Sequence, residues 1–259
     1  MRALLLAAGM GSRLRPLTDT TPKCLVPIHG RPLLDYWLDL VFEGGIERAL
    51  VNTHWLSEQV EAHLALSPWR SRIDLVHEHE LRGTGGTILA NRAWFGDSAF
   101  LVAHADNLTD FDVPGLIEAH GNRPAGHVMT MLGFRTDDPS SCGILELNRH
   151  GTVIAFHEKV AEPPGNLANG AVYIFEPEVI ADIASLGKDA VDLSTEVIPN
   201  YLGRILCVET HGYHRDIGTP ASLLRAHIEF PHGSRKDREH KRAEARAKPR
   251  AELLGTTRR

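Results

Sequence analysis

The sequence predicts an α/β fold, a Rossmann-like three-layer αβα sandwich built on a mixed, mostly parallel sheet. Three observations point there. The first 120 residues alternate short apolar runs with amphipathic stretches, as βαβ crossovers require. Ala99–His104 is apolar almost throughout, as expected of a strand covered on both faces. Arg2–Ala7 empties into a glycine-bearing loop, where an open α/β sheet offers free backbone N–H groups to an anion.

Each element has its own signal. Arg2–Ala7 is the first strand. From Arg31 to about Glu43, Leu33, Leu34, Trp37, Leu38, Val41 and Phe42 form one helical stripe, which Gly44-Gly45 terminates. Arg48–Asn52 reads as a strand, Ser57–Leu66 as a helix carrying Val60 and Leu64, and Ile73–His77 as a third strand. Arg82-Gly83-Thr84-Gly85-Gly86 opens a helix to about Trp94, and Ala99–His104 is the fourth strand. The second half has shorter strands (His127–Phe134, Gly143–Leu147, Val153–Phe156, Gly170–Phe175, Leu206–Thr210) separated by Pro/Gly turns, then a helix over Pro220–Phe230. No repeat or low-complexity linker precedes residue 231. We therefore expect one compact domain over 1–230, with a first half to about 120 and a second half beyond it.

Composition narrows the class. The chain has 259 residues, 42% apolar and 24% charged, which is ordinary for a soluble globular protein. Cys24, Cys142 and Cys207 lie far apart, without a C-x-x-C, which suits a reducing compartment. The N-terminal apolar stretch is too short for a signal peptide, no stretch is long enough to span a membrane, and the cytoplasm is the expected location. Residues 231–259 hold ten Lys/Arg against four Asp/Glu, while residues 1–230 hold 18 against 29. The end is thus a basic, solvated tail on an acidic body, which argues against nucleic acid as a ligand and gives no sign of a membrane partner. Self-association is left open.

The loop after the first strand carries the chemistry. It reads Gly9-Met10-Gly11-Ser12-Arg13, continues through Pro16-Leu17-Thr18, and reaches Pro22-Lys23 ten residues past Arg13. Free N–H groups with Arg13 and Lys23 can hold a polyphosphate. The spacing matches neither the G-x-x-x-x-G-K-[ST] loop nor the dinucleotide fingerprint. It resembles the signature of the sugar-1-phosphate nucleotidyltransferases. Asp106, in His104-Ala105-Asp106-Asn107, resembles that family's G-D-[NV] metal motif with alanine in place of glycine. Asp216, in Asp216-Ile217-Gly218-Thr219-Pro220, resembles its D-I-G-T-P element. Two carboxylates from separate strand ends suit one Mg²⁺, which keeps waters and accepts phosphate oxygens.

By the resemblance, the nucleotide lies on Ala7, Ala8, Gly9, Gly11, Ser12, Arg13, Lys23, Glu78, Gly83 and Thr84. Gly143, Glu158, Lys159, Asn169 and Gly170 take the sugar phosphate, and Arg13, Lys23 and Asp106 are the catalytic set. The implied reaction joins an NTP and a sugar 1-phosphate, releasing pyrophosphate, with Mg²⁺ as cofactor. Glu78 stands five residues before Gly83, where a carboxylate could accept from guanine N1–H and N2–H₂, so GTP is favoured. The HADNLTDFD stretch likewise resembles mannose- and heptose-1-phosphate guanylyltransferases. A uridylyl- or thymidylyltransferase is the alternative, and a non-catalytic sugar-nucleotide sensor the alternative of another class. Arg82 replaces the family's commoner leucine and could alter base contacts. His77 and His79 share a strand face, but no third ligand accompanies them, so they are not read as a metal site.

Overall fold

The computed structural model describes residues 1–231, so all but the first residue of the expected basic tail lies outside the described residues. β1 (Arg2–Leu6) is followed by three 3₁₀ turns and a hairpin of β2 (Pro27–Ile28) and β3 (Arg31–Pro32). α1 (Leu33–Glu43), β4 (Arg48–Thr53), α2 (Ser57–Ala65) and β5 (Ile73–His77) complete two parallel crossover units. α3 (Gly83–Ala90), α4 (Arg92–Phe95) and β6 (Phe100–His104) come next, then β7 (Asn107–Thr109) and α5 (Val113–Gly121). β8 (Met129–Arg135), β9 (Gly143–Leu147), β10 (Val153–Glu158) and β11 (Leu167–Phe175) form the antiparallel part. α6 (Glu178–Ser185), β12 (Ile205–Glu209), β13 (His214–Asp216) and α7 (Pro220–Glu229) close the described chain.

The main sheet has nine strands. β5, β4, β1 and β6 are parallel neighbours. β11 pairs antiparallel with β6 on one edge and with β8 on the other, and β12 lies parallel to β8. The early half of β11 also meets β9, which carries β10. The sheet is therefore mixed and mostly parallel, as expected. Successive side chains of a strand point to opposite faces, and β1 shows the result. Ala3 and Leu5 pack under Trp37 and Val41 of α1, Val60 of α2 and Leu116 of α5. Leu4 packs on the other face with Ile88 of α3, Val179 and Ile183 of α6, and Tyr201. These are the three layers. A third apolar cluster joins Leu14 and Val26 of the loop after β1 to Ile217 and to Ala226 of α7.

Some boundaries differ from the sequence reading for local reasons. α1 begins at Leu33 because Arg31 precedes a proline, is held extended, and pairs with Ile28. The single helix expected to about Trp94 is two, since Asn91 turns its side-chain amide back onto the Thr87 carbonyl at 2.8 Å. Asn169-Gly170 lies inside β11, at an irregularity where pairing shifts between Asn169 and Tyr173.

Candidate active site

Gly11 shapes the loop that follows β1. Its φ is +63°, and a Cβ there would come within 2.8 Å of Thr18 Cγ2 and 3.1 Å of Lys23 Cβ. Only glycine lets the chain fold this closely over Lys23. The Gly11 carbonyl accepts from the Leu14 N–H at 2.8 Å and from the Thr18 hydroxyl at 2.7 Å. The turn Ser12–Leu14 then sinks Leu14 into the third apolar cluster and leaves Arg13 outside.

Lys23 does the opposite of a surface lysine. Its side chain is 6% exposed, and the ammonium donates to Asp106 Oδ2 at 2.7 Å and Asp216 Oδ1 at 3.2 Å. Arg13 Nη2 reaches Asp216 Oδ2 at 3.4 Å. Asp106 and Asp216 are 32% and 49% exposed, so both carboxylates open to the cleft while the lysine sits beneath them. Burial alone would lower the Lys23 pKa, but the two carboxylates outweigh it and hold the ammonium above its ordinary 10.5. Burial likewise pushes Asp106 up, and Lys23 overrides it, leaving the carboxyl below its usual range.

Two strand ends more than a hundred residues apart supply these acids. Asp106 follows β6 at the carboxyl edge of the parallel sheet, beside the point where β6 and β4 diverge on either side of β1. β7 pairs antiparallel with β13, with Asn107 opposite Asp216, and the Ile217 N–H donates to the Asp106 carbonyl at 3.3 Å. Trp37 of α1 anchors this ribbon by donating its indole N–H to the Asn107 carbonyl at 2.7 Å.

Next to the cluster is a cavity of about 230 Å³ whose wall includes Ala8, Gly9, Glu78, Gly83, Thr84 and Asp106. Five of the ten residues expected to meet the nucleotide thus converge, together with Asp106 of the expected metal pair. Ala7 does not line it, and its N–H is already taken by Asn52 Oδ1 at 2.7 Å. The Glu78 carboxylate is buried and well partnered. Oε1 accepts from the Thr87 hydroxyl at 2.6 Å and Asn52 Nδ2 at 3.0 Å, and Oε2 accepts from the Arg82 N–H at 3.3 Å. The Arg82 side chain lines a different cavity, on another face of α3, with Gly86, Arg92 and Lys188. The Arg82–Gly86 turn is clamped from outside: Val191 N–H donates to the Arg82 carbonyl, Gly85 N–H to Val191, and Leu193 N–H to the Thr84 hydroxyl.

The residues expected to take the sugar come from β9, β10 and β11. Gly143 faces Glu158 across the β9–β10 pair, and a Cβ on Gly143 would lie 2.6 Å from Glu158 Oε2 and 2.5 Å from the Phe156 ring. Lys159, at φ +49°, is ion-paired with its neighbour Glu158 at 3.2 Å. Asn169 donates to the Tyr173 hydroxyl at 2.7 Å, and Gly170 backs onto the Leu132 carbonyl and the His214 ring. Burial pushes the Tyr173 hydroxyl well above its ordinary range, and the charges of Glu158 and Asp192 add to this. Burial holds the His104 pKa below its ordinary value, and His104 borders the same cavity as Asp106.

Sequence reasoning missed Asn52, Thr87, His104 and Tyr173. Asn52 had a readable signal, an amide closing the apolar run Ala49-Leu50-Val51 at the carboxyl end of a parallel strand. Among the described residues, no group of three or more His, Cys, Asp or Glu is arranged to hold a metal ion. None of their helices is long and apolar enough to cross a membrane.

A mannose-1-phosphate guanylyltransferase of Mycobacterium tuberculosis is 31% identical over 236 residues, covering 89% of this chain and 65% of that protein. The mannose-1-phosphate guanylyltransferase catalytic subunit beta of Drosophila melanogaster is 29% identical over 229 residues, covering 86% of this chain and 61% of its own length. The chain thus spans about three fifths of the curated relatives it matches. A crystal structure from Bacillus anthracis, assigned as a glucose-1-phosphate thymidylyltransferase, superposes with a TM-score of 0.80 at 22% identity, covering 92% of this chain and 99% of that one. It shares the fold. Residues 2–232 match the sequence profile of the nucleotidyl transferase family, and on that match the chain belongs to this family.

Proposed function

We propose that the protein transfers a nucleotidyl group from an NTP, GTP by preference, to the phosphate of a mannose- or heptose-type sugar 1-phosphate, releasing pyrophosphate. One observation carries this reading: Lys23 is buried between Asp216 and Asp106, and Asp106 lines the same cavity as Glu78 and Gly83. The names of the mannose-1-phosphate relatives support the sugar and the base.

The chemistry needs charge management more than proton transfer. A phosphate monoester has its second pKa near 6, so the attacking oxygen is already ionised at neutral pH. The barrier lies in bringing two anions together and in the charge that builds on departing pyrophosphate. Arg13, exposed at the loop tip, would hold the β- and γ-phosphates, and Lys23 would meet the α-phosphate from below. Lys159 would exchange Glu158 for the sugar phosphate, freeing Glu158 for a sugar hydroxyl beside Asn169. Asp106 and Asp216 would be the residues to hold a Mg²⁺ ion, because both carboxylates converge on the Lys23 ammonium and both open to the cleft. Bound there, the ion would supply Lewis-acid neutralisation of the phosphate oxygens. The acidic pair, otherwise balanced by Lys23 and Arg13, would help return the site to its starting charge once pyrophosphate leaves.

A second reading, uridylyl transfer, is kept by one observation. Three of the roughly four acceptor positions of the Glu78 carboxylate are engaged, so one remains, which suffices for a uracil N3–H, whereas guanine's N1–H and N2–H₂ would use it together with the position of the long Arg82 contact. The test is pyrophosphate release with Mg²⁺ across five NTPs and a panel of hexose and heptose 1-phosphates. We expect release only when both substrates are present, and fastest with GTP. Release from NTP alone, or from no pair at all, would sink the enzyme reading.

A further inference from the structure

We infer that Asn52 and Thr87 are positioning residues for base selection, holding the Glu78 carboxylate in one pose and tying that pose to the first residue of the phosphate loop. The inference rests on the reading that Glu78 faces the base. Asn52 is the last residue but one of β4, directly opposite Leu6 at the end of β1. Its amide spans the gap between the next residue, Ala7, and Glu78: Oδ1 accepts from the Ala7 N–H at 2.7 Å, and Nδ2 donates to Glu78 Oε1 at 3.0 Å. The orientation is not arbitrary. A backbone N–H can only donate, so the oxygen must face Ala7 and the NH₂ must face the carboxylate.

Thr87 closes the arrangement from α3. Its hydroxyl has one hydrogen and two acceptors in reach, Glu78 Oε1 at 2.6 Å and the Gly83 carbonyl at 3.0 Å. The shorter contact, to a charged acceptor, is the stronger. Asn52, Thr87 and Glu78 are all buried, and a buried polar network is rigid only when each member is satisfied. Here Oε1 is saturated by two donors, and Oε2 has a single long contact to the Arg82 N–H. The one free acceptor position therefore belongs to Oε2, on a residue that lines the nucleotide cavity. The same amide that fixes Glu78 also occupies the Ala7 N–H, so the place of the base and the entry to the phosphate loop are set together.

The experiment is equilibrium binding of GTP, ITP and UTP with Mg²⁺, measured by calorimetry on the full-length protein, which needs no knowledge of the sugar. Glu78→Gln is the reference variant. Thr87→Val keeps the shape and removes a donor, while Asn52→Asp keeps the contact with Ala7 and sets a second carboxylate against Glu78. We expect both to narrow the GTP-over-UTP preference about tenfold, the loss expected for one hydrogen bond to a charged group. Thr87→Ser should restore it. In a Glu78→Gln background, Thr87→Val should change the preference no further, because the group it positions is gone. Equal weakening of all three nucleotides with the preference intact would make these residues merely structural and overturn the inference. If Glu78→Gln itself leaves the preference unchanged, the base reading fails first and the inference falls with it. Thr87→Val and Thr87→Ser carry the test alone if Asn52→Asp does not fold.

Discussion

Which charge is buried, the lysine or the carboxylates, decides how the Lys23 cluster responds to being broken. Lys23→Met leaves Asp106 and Asp216 behind, with facing oxygens at most about 6 Å apart. Two such charges repel by about 1 kcal/mol in water-like surroundings and about 3 kcal/mol at an effective dielectric of 20. Water reaches both groups, and removing the ammonium also removes its own burial cost, so the net loss should be about 1–2 kcal/mol. Asp106→Asn with Asp216→Asn does the reverse and strands a buried ammonium. Breaking a buried pair this way costs about 3–5 kcal/mol. The ammonium can escape by shedding its proton, which from an ordinary pKa of 10.5 caps the loss near 4 kcal/mol at pH 7.5. In a chain this size each kcal/mol moves Tm by about 2–4 °C. Thermal unfolding at pH 7.5 without divalent metal should therefore place Lys23→Met about 3–6 °C below wild type and the double variant about 10 °C below. Added Mg²⁺ should restore Lys23→Met, whose carboxylates are freed, and leave the double variant unmoved. A Lys23→Met protein less stable than the double variant would refute the assignment of the lysine as the buried partner.

Gly143→Ala should push Glu158 and Phe156 aside, raising KM for the sugar 1-phosphate at least about tenfold while calorimetry shows GTP binding unchanged. Arg82→Leu should leave the GTP-to-UTP ratio of kcat/KM as it is, because that side chain lines the other face of α3. His120 is buried, bonded to Thr130 and Glu176, and its pKa is lowered by burial and then by Arg123. A His with a depressed folded pKa contributes stability above its unfolded value and loses it as pH falls. Urea unfolding should thus show wild-type stability dropping by up to about 1.4 kcal/mol per pH unit below about 6.5 from this group, with His120→Gln weaker at pH 7.5 but shallower in slope.

Much of this molecule was legible because its core is periodic. The stripe Leu33, Leu34, Trp37, Leu38, Val41 and Phe42 is the buried face of α1, and the apolar run at 99–104 is a central strand. The loop residues were legible because a backbone folded over Lys23 admits only glycine at position 11. Three-residue strands carry no period, so β7 and β13 were invisible, though they bring the two carboxylates together. α5 had a readable start, Asp112 capping the Gly115 N–H with Pro114 in the first turn. The Asn52–Glu78–Thr87 network could not be read, because its members are 26 and nine residues apart and meet only when β4, β5 and α3 are packed.

The ribbon of β7 and β13 also sets when in its life the chain becomes competent. Asp216 reaches Asp106 through three pairs of residues that are separated by more than a hundred positions of sequence. A chain that stops before His214 already holds β1 through β12 and the residues lining the cavity beside Glu78, but it lacks Ile217 and Ala226, on which Leu14 and Val26 of the loop after β1 pack. It lacks the second carboxylate, and Lys23 then pairs one-to-one with Asp106. Under the proposed function, a fragment broken off before Asp216 would be a decoy, able to withdraw nucleotide from solution but unable to turn it over.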